Sequence, residues 1–373
     1  MSTDTDDDWS LPPVSAHGTP AGKSPYRHDA ADGPAAPPDA GTAQAPTTQR
    51  RTALVSEPVT SESAVWSPLA KEVFDQLLSI GVDRPRVDPS TVTEVHDAFT
   101  NAAAAVAAVW PDPVMSFTKS TYMSFTRCPS AFLHARSSTS QTDSVTVSAA
   151  AGSIAHKAIL IRHVRPALSP IAAVRAAVSA CCDDPGFGAA WQAAGDGVQA
   201  DAVGVATARL SAFADAFPPL EDAWFPRFEE PMTARAGAVR LQGKPDLVLG
   251  RARDDGRATM LLCDFKSGDL KNEHVDEADF YAVLCVLRHR VVPFRSFVFS
   301  LSSGTWTAPD VTHERLVAAA GRIGEAAHNA ACVLSGTSPP VPRPGHHCRY
   351  CPIRDTCPAA LADDQVRTDA QWL

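Results

Sequence analysis

Apolar residues recur along most of the chain at the spacing of an α-helix, and the first such run begins at residue 65. Trp66, Leu69, Val73 and Leu77 lie three or four positions apart, which places them on one helical face. The segment 137–146 is rich in polar residues and predicts an exposed loop. Runs with helical spacing predict further helices at residues 92–110, 120–135, 152–164, 171–182, 200–217, 275–287 and 312–334.

The apolar spacing changes to two after residue 224, which is typical of β-strands. Clusters of turn-forming residues at 235–237 and 254–256 separate the first runs. Helices packed around one mixed β-sheet give a fold of the α/β (α+β) class. The predicted strands are residues 224–232, 239–249, 259–265, 293–301 and 305–308.

Composition sets the start of the chain apart. Nine of the 31 prolines fall in the first 60 residues, where no apolar run is able to form a core. We predict a disordered, acidic Pro/Ala-rich tail over residues 1–62, followed by a helical segment over residues 63–115. With eight acidic and four basic residues, the first 60 residues carry −4 of the net charge of −9.

The negative net charge disfavours a protein that coats nucleic acid through its overall charge. A local basic groove on an acidic protein is still compatible with nucleic-acid binding. The chain has no apolar stretch of about 18 residues and no basic leader, which predicts a soluble, cytoplasmic protein without a membrane partner. Nine cysteines in such a protein indicate bound metal or buried thiols rather than disulfides.

Two predicted strands are each interrupted by an aspartate. Asp246 and Asp264 lie in otherwise apolar runs, where a carboxylate is costly unless it is paired or binds a metal ion. Asp264 and Lys266 are two positions apart and so project from the same strand face. A carboxylate for a divalent cation beside an ammonium group suits phosphodiester hydrolysis. The structural alternatives are a salt bridge at a strand end and a turn position for Asp246 after Pro245.

The order of four short motifs resembles the RecB-like branch of the PD-(D/E)XK nuclease superfamily. This resemblance implies a restriction-endonuclease-like mixed β-sheet core flanked by helices, and a nuclease domain over residues 116–362, followed by a C-terminal tail over residues 363–373. The motifs are residues 152–156 (GSIAH), 243–246 (GKPD), 264–268 (DFKSG) and 277–281 (EADFY).

The resemblance also implies roles for individual residues. His156, Asp246 and Asp264 are the implied ligands of Mg²⁺ or Mn²⁺, and Lys266 is the residue implied to assist the attacking water. A histidine ligand is compatible with Mn²⁺, which tolerates nitrogen better than Mg²⁺ does.

Three further positions follow the resemblance less closely. Glu277 stands where the branch usually has glutamine, four residues before Tyr281. The resemblance implies a catalytic role for both residues, and the substitution of glutamate for glutamine leaves the role of Glu277 open. Ser267 replaces the usual threonine. The glutamate that the branch tends to carry before the hairpin matches Glu229 or Glu230, and we favour Glu229.

Cys348, Cys351 and Cys357 form a C-x2-C-x5-C motif, whose spacing is a strong indication of a metal site. Cys128 is the candidate fourth ligand, because a proline follows it as one follows Cys351 and Cys357. His346 and His347 are spare candidates. We interpret the five other cysteines as buried core thiols; they are Cys181, Cys182, Cys263, Cys285 and Cys332.

One distant cysteine followed by a C-terminal trio resembles the iron-sulfur staple of helicase-associated and CRISPR-adaptation nucleases in the same branch. The implied cofactor is a [4Fe-4S] cluster. Zn²⁺ is the alternative, since four thiolates suit it equally well.

These features together favour a Mg²⁺- or Mn²⁺-dependent DNA nuclease that acts as an exonuclease or trims ends or flaps in DNA repair, recombination or defence. The alternatives are a non-catalytic nucleic-acid-binding adaptor on the same fold and a zinc-stapled structural protein. The chain has no G-x-x-x-x-G-K-[ST] motif, so any unwinding requires a partner such as a helicase. Five arginines are candidates for phosphate contacts: Arg127, Arg136, Arg162, Arg288 and Arg290.

Overall fold

A computed structural model of the protein describes residues 66–137 and 146–363. The predicted disordered tail, residues 1–62, lies outside the described residues. So do most of the predicted loop at 137–146 and all but the first residue of the predicted C-terminal tail. No helix of the described ranges is long and apolar enough to cross a membrane.

Most of the helices begin at a residue that suits a helix start. Ser67, Asp88, Thr146, Ser169 and Thr312 each accept a hydrogen bond at an N-cap. The helices are α1 (Pro68–Glu72, continued by a π-helical turn, Val73–Leu78), α2 (Pro89–Ala103), α3 (Val106–Val109), α4 (Lys119–Arg127), α5 (Pro129–Ser137), α6 (Val147–Val164), α7 (Pro170–Cys182), α8 (Pro185–Ala193), α9 (Asp196–Ala216), α10 (His274–His289) and α11 (His313–Leu334).

The strands form two mixed sheets rather than the predicted single one. In the smaller sheet, with the order β1-β4-β3, β1 is parallel to β4 and β3 is antiparallel to it. In the larger sheet, with the order β2-β5-β6-β7-β8, only β6 and β7 are parallel. The strands are β1 (Met115–Thr118), β2 (Arg227–Phe228), β3 (Met232–Ala236), β4 (Val239–Gly243), β5 (Leu247–Leu249), β6 (Leu261–Lys266), β7 (Arg295–Ser300) and β8 (Trp306–Thr307).

The larger sheet separates two hydrophobic cores because successive side chains of a strand point to opposite faces. On β6, Leu262 packs into the core formed with α2, α10 and α11. Cys263 and Phe265 pack into the core formed with α6, α7 and α9. Asp264 therefore shares the face of Leu262, toward α10.

Two predicted elements are each divided at a proline. The predicted helix 120–135 consists of α4 and α5, because Cys128 precedes Pro129 and adopts an extended conformation (φ −160°, ψ 108°). The predicted strand 239–249 consists of β4 and β5, which belong to different sheets. Pro245 stands between them and has no N–H for a sheet hydrogen bond.

The remaining strand and helix predictions are largely confirmed, with shifts of a few residues at their ends. The predicted strand 224–232 is wrong in its interior, because Phe225 and Glu229 have positive φ values of 51° and 48° and interrupt it. The sequence analysis also missed the short strand β1 and the helix α8. The predicted α/β class is confirmed.

Candidate active site

A cavity of about 550 Å³ opens where three strands end and helix α4 begins. Thr118 ends β1, Gly243 ends β4 and Lys266 ends β6, and all three residues line the cavity. Because β1 is parallel to β4, their carboxyl ends meet at one edge and deliver side chains to one place. We call this space the carboxylate–lysine cavity. Its polar lining includes His156, Asp246, Asp264, Lys119, Lys244 and Lys266.

Asp246 lies in the turn between β4 and β5 rather than inside a strand, which corrects the sequence interpretation of an aspartate within a strand. Its Oδ1 lies 3.1 Å from His156 Nδ1, and its Oδ2 accepts a hydrogen bond of 2.6 Å from the backbone N–H of Phe265. The turn thereby ties helix α6 to strand β6. His156 and Asp246, which are 90 positions apart in the chain, meet at this point.

Asp264, Lys266, Glu277 and Lys119 form a closed ring of alternating charges. Lys266 Nζ lies 2.7 Å from Asp264 Oδ2 and 2.5 Å from Glu277 Oε2. Lys119 Nζ lies 3.3 Å from Asp264 Oδ1 and 2.7 Å from Glu277 Oε2. Asp264 and Glu277 are only 4% and 6% exposed. Each buried carboxylate is therefore paired with two ammonium groups.

The charges of this ring shift the pKa values of its members. Burial raises the pKa of Asp264, but the charges of Lys119 and Lys266 outweigh it and hold that pKa below its ordinary value. Burial lowers the pKa of Lys266, and its two carboxylate partners more than reverse this, so that the pKa is raised. Burial also opposes charge on His156, whose hydrogen-bonded aspartate raises its pKa overall. All three shifts favour the charged forms.

Tyr281 and Gly243 close one wall of the cavity. The Tyr281 hydroxyl donates a 3.0 Å hydrogen bond to the carbonyl oxygen of Lys244. A Cβ atom on Gly243 would lie 2.9 Å from Tyr281 Cε1 and 3.0 Å from Leu284 Cδ2, so glycine permits the close packing of β4 on α10. Burial, followed by the charge of Asp264, raises the pKa of Tyr281. Its hydroxyl therefore stays neutral and able to donate.

The two glutamates before the hairpin have different surroundings. Glu229 Oε2 lies 3.2 Å from Lys244 Nζ and 3.6 Å from Lys157 Nζ, next to the cavity. Glu230 instead pairs with Arg227 at 2.6 Å. The structure thus brings Glu229, which the sequence analysis favoured, toward the other site residues.

Residues 116–358 match the PD-(D/E)XK nuclease superfamily, and the match covers more than half of the chain. The chain belongs to the PD-(D/E)XK nuclease superfamily. Its two mixed sheets flanked by helices agree with the restriction-endonuclease-like fold of that superfamily. No curated protein matches the chain.

A solved structure titled "Crystal structure of SSO0001" is similar over 65% of this chain and 96% of its own, with 10% sequence identity and a TM-score of 0.25. A likeness at this level adds nothing to the superfamily assignment.

PD-(D/E)XK nucleases typically use Mg²⁺ or Mn²⁺, and the donors that face the cavity suit such an ion chemically. Asp246 and Asp264 offer the carboxylate oxygens that hard cations prefer, and His156 offers a nitrogen. Within residues 66–137 and 146–363, no three His, Cys, Asp or Glu side chains are already grouped to hold a metal ion. Here the lysine ammonium groups supply the positive charge beside Asp264.

No pattern in the sequence predicted Lys119 as a site residue. This lysine starts α4, directly after the missed strand β1, and lies 145 positions before Asp264. One feature of the composition could have drawn attention to Lys119, since the chain has only seven lysines. Three of them, Lys119, Lys244 and Lys266, line the cavity, and Lys157 pairs with Glu229 at its edge. None of the five arginines proposed for phosphate contacts lines it.

Four cysteines line a second, small cavity of about 10 Å³, which we call the cysteine pocket. They are the four that the sequence analysis selected: Cys128, Cys348, Cys351 and Cys357. Backbone N–H groups point at two of the sulfur atoms, from Arg343 to Cys128 at 3.5 Å and from Gly345 to Cys348 at 3.4 Å. The four thiols line one pocket, and thiolates are the ligands that an iron-sulfur cluster or Zn²⁺ takes.

Other parts of the cysteine prediction need correction. Cys128 lies between α4 and α5 rather than on a helix. Of the five cysteines interpreted as core thiols, Cys263 and Cys285 are buried, but Cys181, Cys182 and Cys332 are only half-buried because they lie near the ends of α7 and α11. His347 lines the cysteine pocket and stays a spare candidate ligand.

Proposed function

We propose that this chain is a Mg²⁺- or Mn²⁺-dependent DNA nuclease that acts on strand ends, as an exonuclease or in flap or end trimming. The observation that carries the proposal is the meeting of Asp246, Asp264 and Lys266 with His156 at one cavity of a PD-(D/E)XK fold. The cavity lies at the ends of strands from both sheets and is wide enough, at about 550 Å³, for a nucleotide-sized group.

The residues of the cavity would have different roles in phosphodiester hydrolysis. Asp246, Asp264 and His156 would hold the divalent cation, which supplies positive charge that lowers the pKa of water and favours negative charge on the phosphate. The backbone N–H of Phe265 fixes the carboxylate of Asp246 in position. Lys266 keeps its charge despite burial because its carboxylate partners raise its pKa, so it orients the attacking water and stabilises the charge that develops on the phosphate.

Glu277 and Tyr281 support this arrangement from α10. Glu277 fixes the ammonium group of Lys266 at 2.5 Å, and the Tyr281 hydroxyl fixes the backbone at Lys244, two residues before Asp246. Both act on groups that face the cavity. Their place in the reaction is therefore to position other residues.

We also propose that Cys128, Cys348, Cys351 and Cys357 bind a [4Fe-4S] cluster that shapes the path of the DNA strand. Their shared place in the lining of one pocket and the N–H donors to two sulfur atoms support this assignment. Zn²⁺ is the other ion that four thiols suit. A brown protein that contains iron supports the cluster, and a colourless protein that contains zinc contradicts it.

The function is tested with full-length protein and end-labelled single- and double-stranded DNA. We expect cleavage with Mn²⁺ or Mg²⁺ and none with EDTA, and a loss of at least about 1000-fold in Asp264→Asn and Lys266→Met. Asp112→Asn, at an exposed position, serves as the control. DNA binding without cleavage under either metal ion would favour the adaptor on the same fold instead. The cleavage products also reveal strand polarity and whether a partner helicase is needed for duplex substrates.

A further inference from the structure

The charge ring of the carboxylate–lysine cavity holds one ammonium group more than the proposed hydrolysis uses. Two lysines and two carboxylates alternate in it, so its formal charge is zero. Lys266 is the lysine that the superfamily motif supplies. Lys119 comes from a different element, the start of α4, and its side chain is 19% exposed, close to the 22% of Lys266.

The four members of the ring do not face the same space. Lys119, Lys266 and Asp264 line the cavity, whereas Glu277 lies behind them and is not part of the lining. Glu277 contacts both ammonium groups through a single oxygen, Oε2. It therefore acts as a shared anchor that keeps the two lysines side by side at the cavity wall.

Each lysine keeps a donor for a ligand. An ammonium group has three N–H donors. Lys119 and Lys266 each use two of them within the described part of the chain, one on Asp264 and one on Glu277. Once Asp264 engages a divalent cation, Glu277 is the one carboxylate left in the ring for two ammonium groups. The wall then carries a surplus of positive charge.

The same wall has other features that favour an anion. Thr118 and Ser120, on either side of Lys119, also line the cavity. Thr118 is the N-cap of the nine-residue helix α4, whose positive end therefore points toward the cavity. Hydroxyl groups and a helix start beside two ammonium groups match the oxygens of a phosphate group.

We propose that Lys119 binds a phosphate oxygen of the nucleic-acid strand next to Lys266, and that Glu277 positions both lysines for this contact. The proposal rests on the proposed nuclease function and adds to it a phosphate-binding residue that the superfamily motifs do not contain. It also gives the glutamate at position 277 a role, because a neutral side chain there would leave the two ammonium groups with less charge to hold them together.

The alternative is that Lys119 only neutralises Glu277. A set of variants separates the two readings in cleavage assays with Mn²⁺, in melting temperature (Tm), and in binding of a fluorescein-labelled oligonucleotide in EDTA. Lys119→Met removes the ammonium group. Lys119→Met/Glu277→Gln removes it together with the charge that it would neutralise. Lys71→Met, at an exposed position of α1, makes the same change in net charge elsewhere.

We expect kcat of Lys119→Met to fall on the order of 100-fold, as for the loss of one preorganised donor, while Lys71→Met stays at the wild-type value. The double variant should regain most of the Tm that Lys119→Met loses but not its kcat. Lys119→Arg, which keeps a positive charge able to bind phosphate, should retain more activity than Lys119→Met. Wild-type kcat in the double variant, or in Lys119→Met itself, would overturn the proposal.

Oligonucleotide binding in EDTA tests the phosphate contact of Lys119 separately from the nuclease function. If the wild-type protein cleaves no DNA, the nuclease function fails, and the affinity for the oligonucleotide still tests Lys119. We then expect Lys119→Met to bind about tenfold more weakly than Lys71→Met, as for one lost charged hydrogen bond. Equal affinities of these two variants would contradict a phosphate contact at Lys119.

Discussion

The carboxylate–lysine cavity and the cysteine pocket both collect side chains that are far apart in the chain, but different forces hold them in place. At the cavity wall, the buried carboxylates of Asp264 and Glu277 each have two ammonium partners within 3.3 Å. In the cysteine pocket, two sulfur atoms accept backbone N–H hydrogen bonds of 3.4 and 3.5 Å. The first site has internal charge pairs, whereas the second has no such pairs among its thiols and would be held together by the ion or cluster proposed for it.

This difference has a consequence for stability. Without a divalent cation, the cavity keeps a set of paired charges whose partners are all protein groups. If the cysteine pocket binds the proposed cluster or ion, its removal would release the link between Cys128 and the C-terminal trio.

Cys348→Ser should lower the free energy of unfolding most. A metal link from residue 128 to residue 348 closes a loop of about 220 residues, which is worth about 5 kcal/mol of chain entropy. Urea unfolding and the iron and zinc content of the purified protein measure the effect. Cys332→Ser, on helix α11 and outside the pocket, is the matched control. Equal stability of the two variants would mean that the pocket binds no structural metal.

Glu277→Ala should destabilise the protein by about 3 kcal/mol, because it removes one carboxylate from a buried ion-pair ring and leaves two ammonium groups close together. Urea unfolding in EDTA measures this loss for the metal-free protein. Glu325→Ala on the exposed face of α11 is the control and should change stability by less than about 0.5 kcal/mol. A loss as small as that of the control contradicts the view that internal charges stabilise the cavity.

Gly243→Ala should cost about 2 kcal/mol, since the new Cβ atom would lie within 3.0 Å of Tyr281 and Leu284. Thermal unfolding compares it with Gly197→Ala on α9, where the added Cβ has no neighbour within 4 Å and should stabilise the helix slightly. If both variants have the same Tm, then the wall of the cavity at β4 is not tightly packed.

The smallest expected effect is on the stability of the protein at low pH. The pKa of Asp264 is lowered in the fold, so its carboxylate stabilises the protein above its unfolded pKa of about 4, and this contribution is lost as the pH falls through the lower folded value. In EDTA, the Tm difference between wild type and Asp264→Asn should therefore shrink from about pH 5 to about pH 2. Asp112→Asn, at an exposed position, is the control for the substitution itself. A difference for Asp264 that is independent of pH contradicts the charge ring.

Much of the site could be predicted because several of its residues lie close together in the sequence, within one strand or one helix. Asp264 and Lys266 are two positions apart on a strand, and Glu277 and Tyr281 are four apart on a helix, so either pair faces one way in any fold that keeps the element. The structure confirms this shared orientation, since Asp264 and Lys266 contact each other at 2.7 Å. The chemical roles of these residues stay predictions until the cleavage assays are made.

The tertiary structure decided features that the spacing of residues along the chain does not encode. The chain by itself determined the α/β class, the period of its helices and strands, and the cysteines of the pocket, because these follow from side-chain periodicity and residue type. The division into two sheets at Pro245 and the arrival of Lys119 beside Asp264 depend on how strands pair across long distances. Pairing is a property of the packed chain, so the balance of charges in the cavity appears only when the sheets and α4 come together.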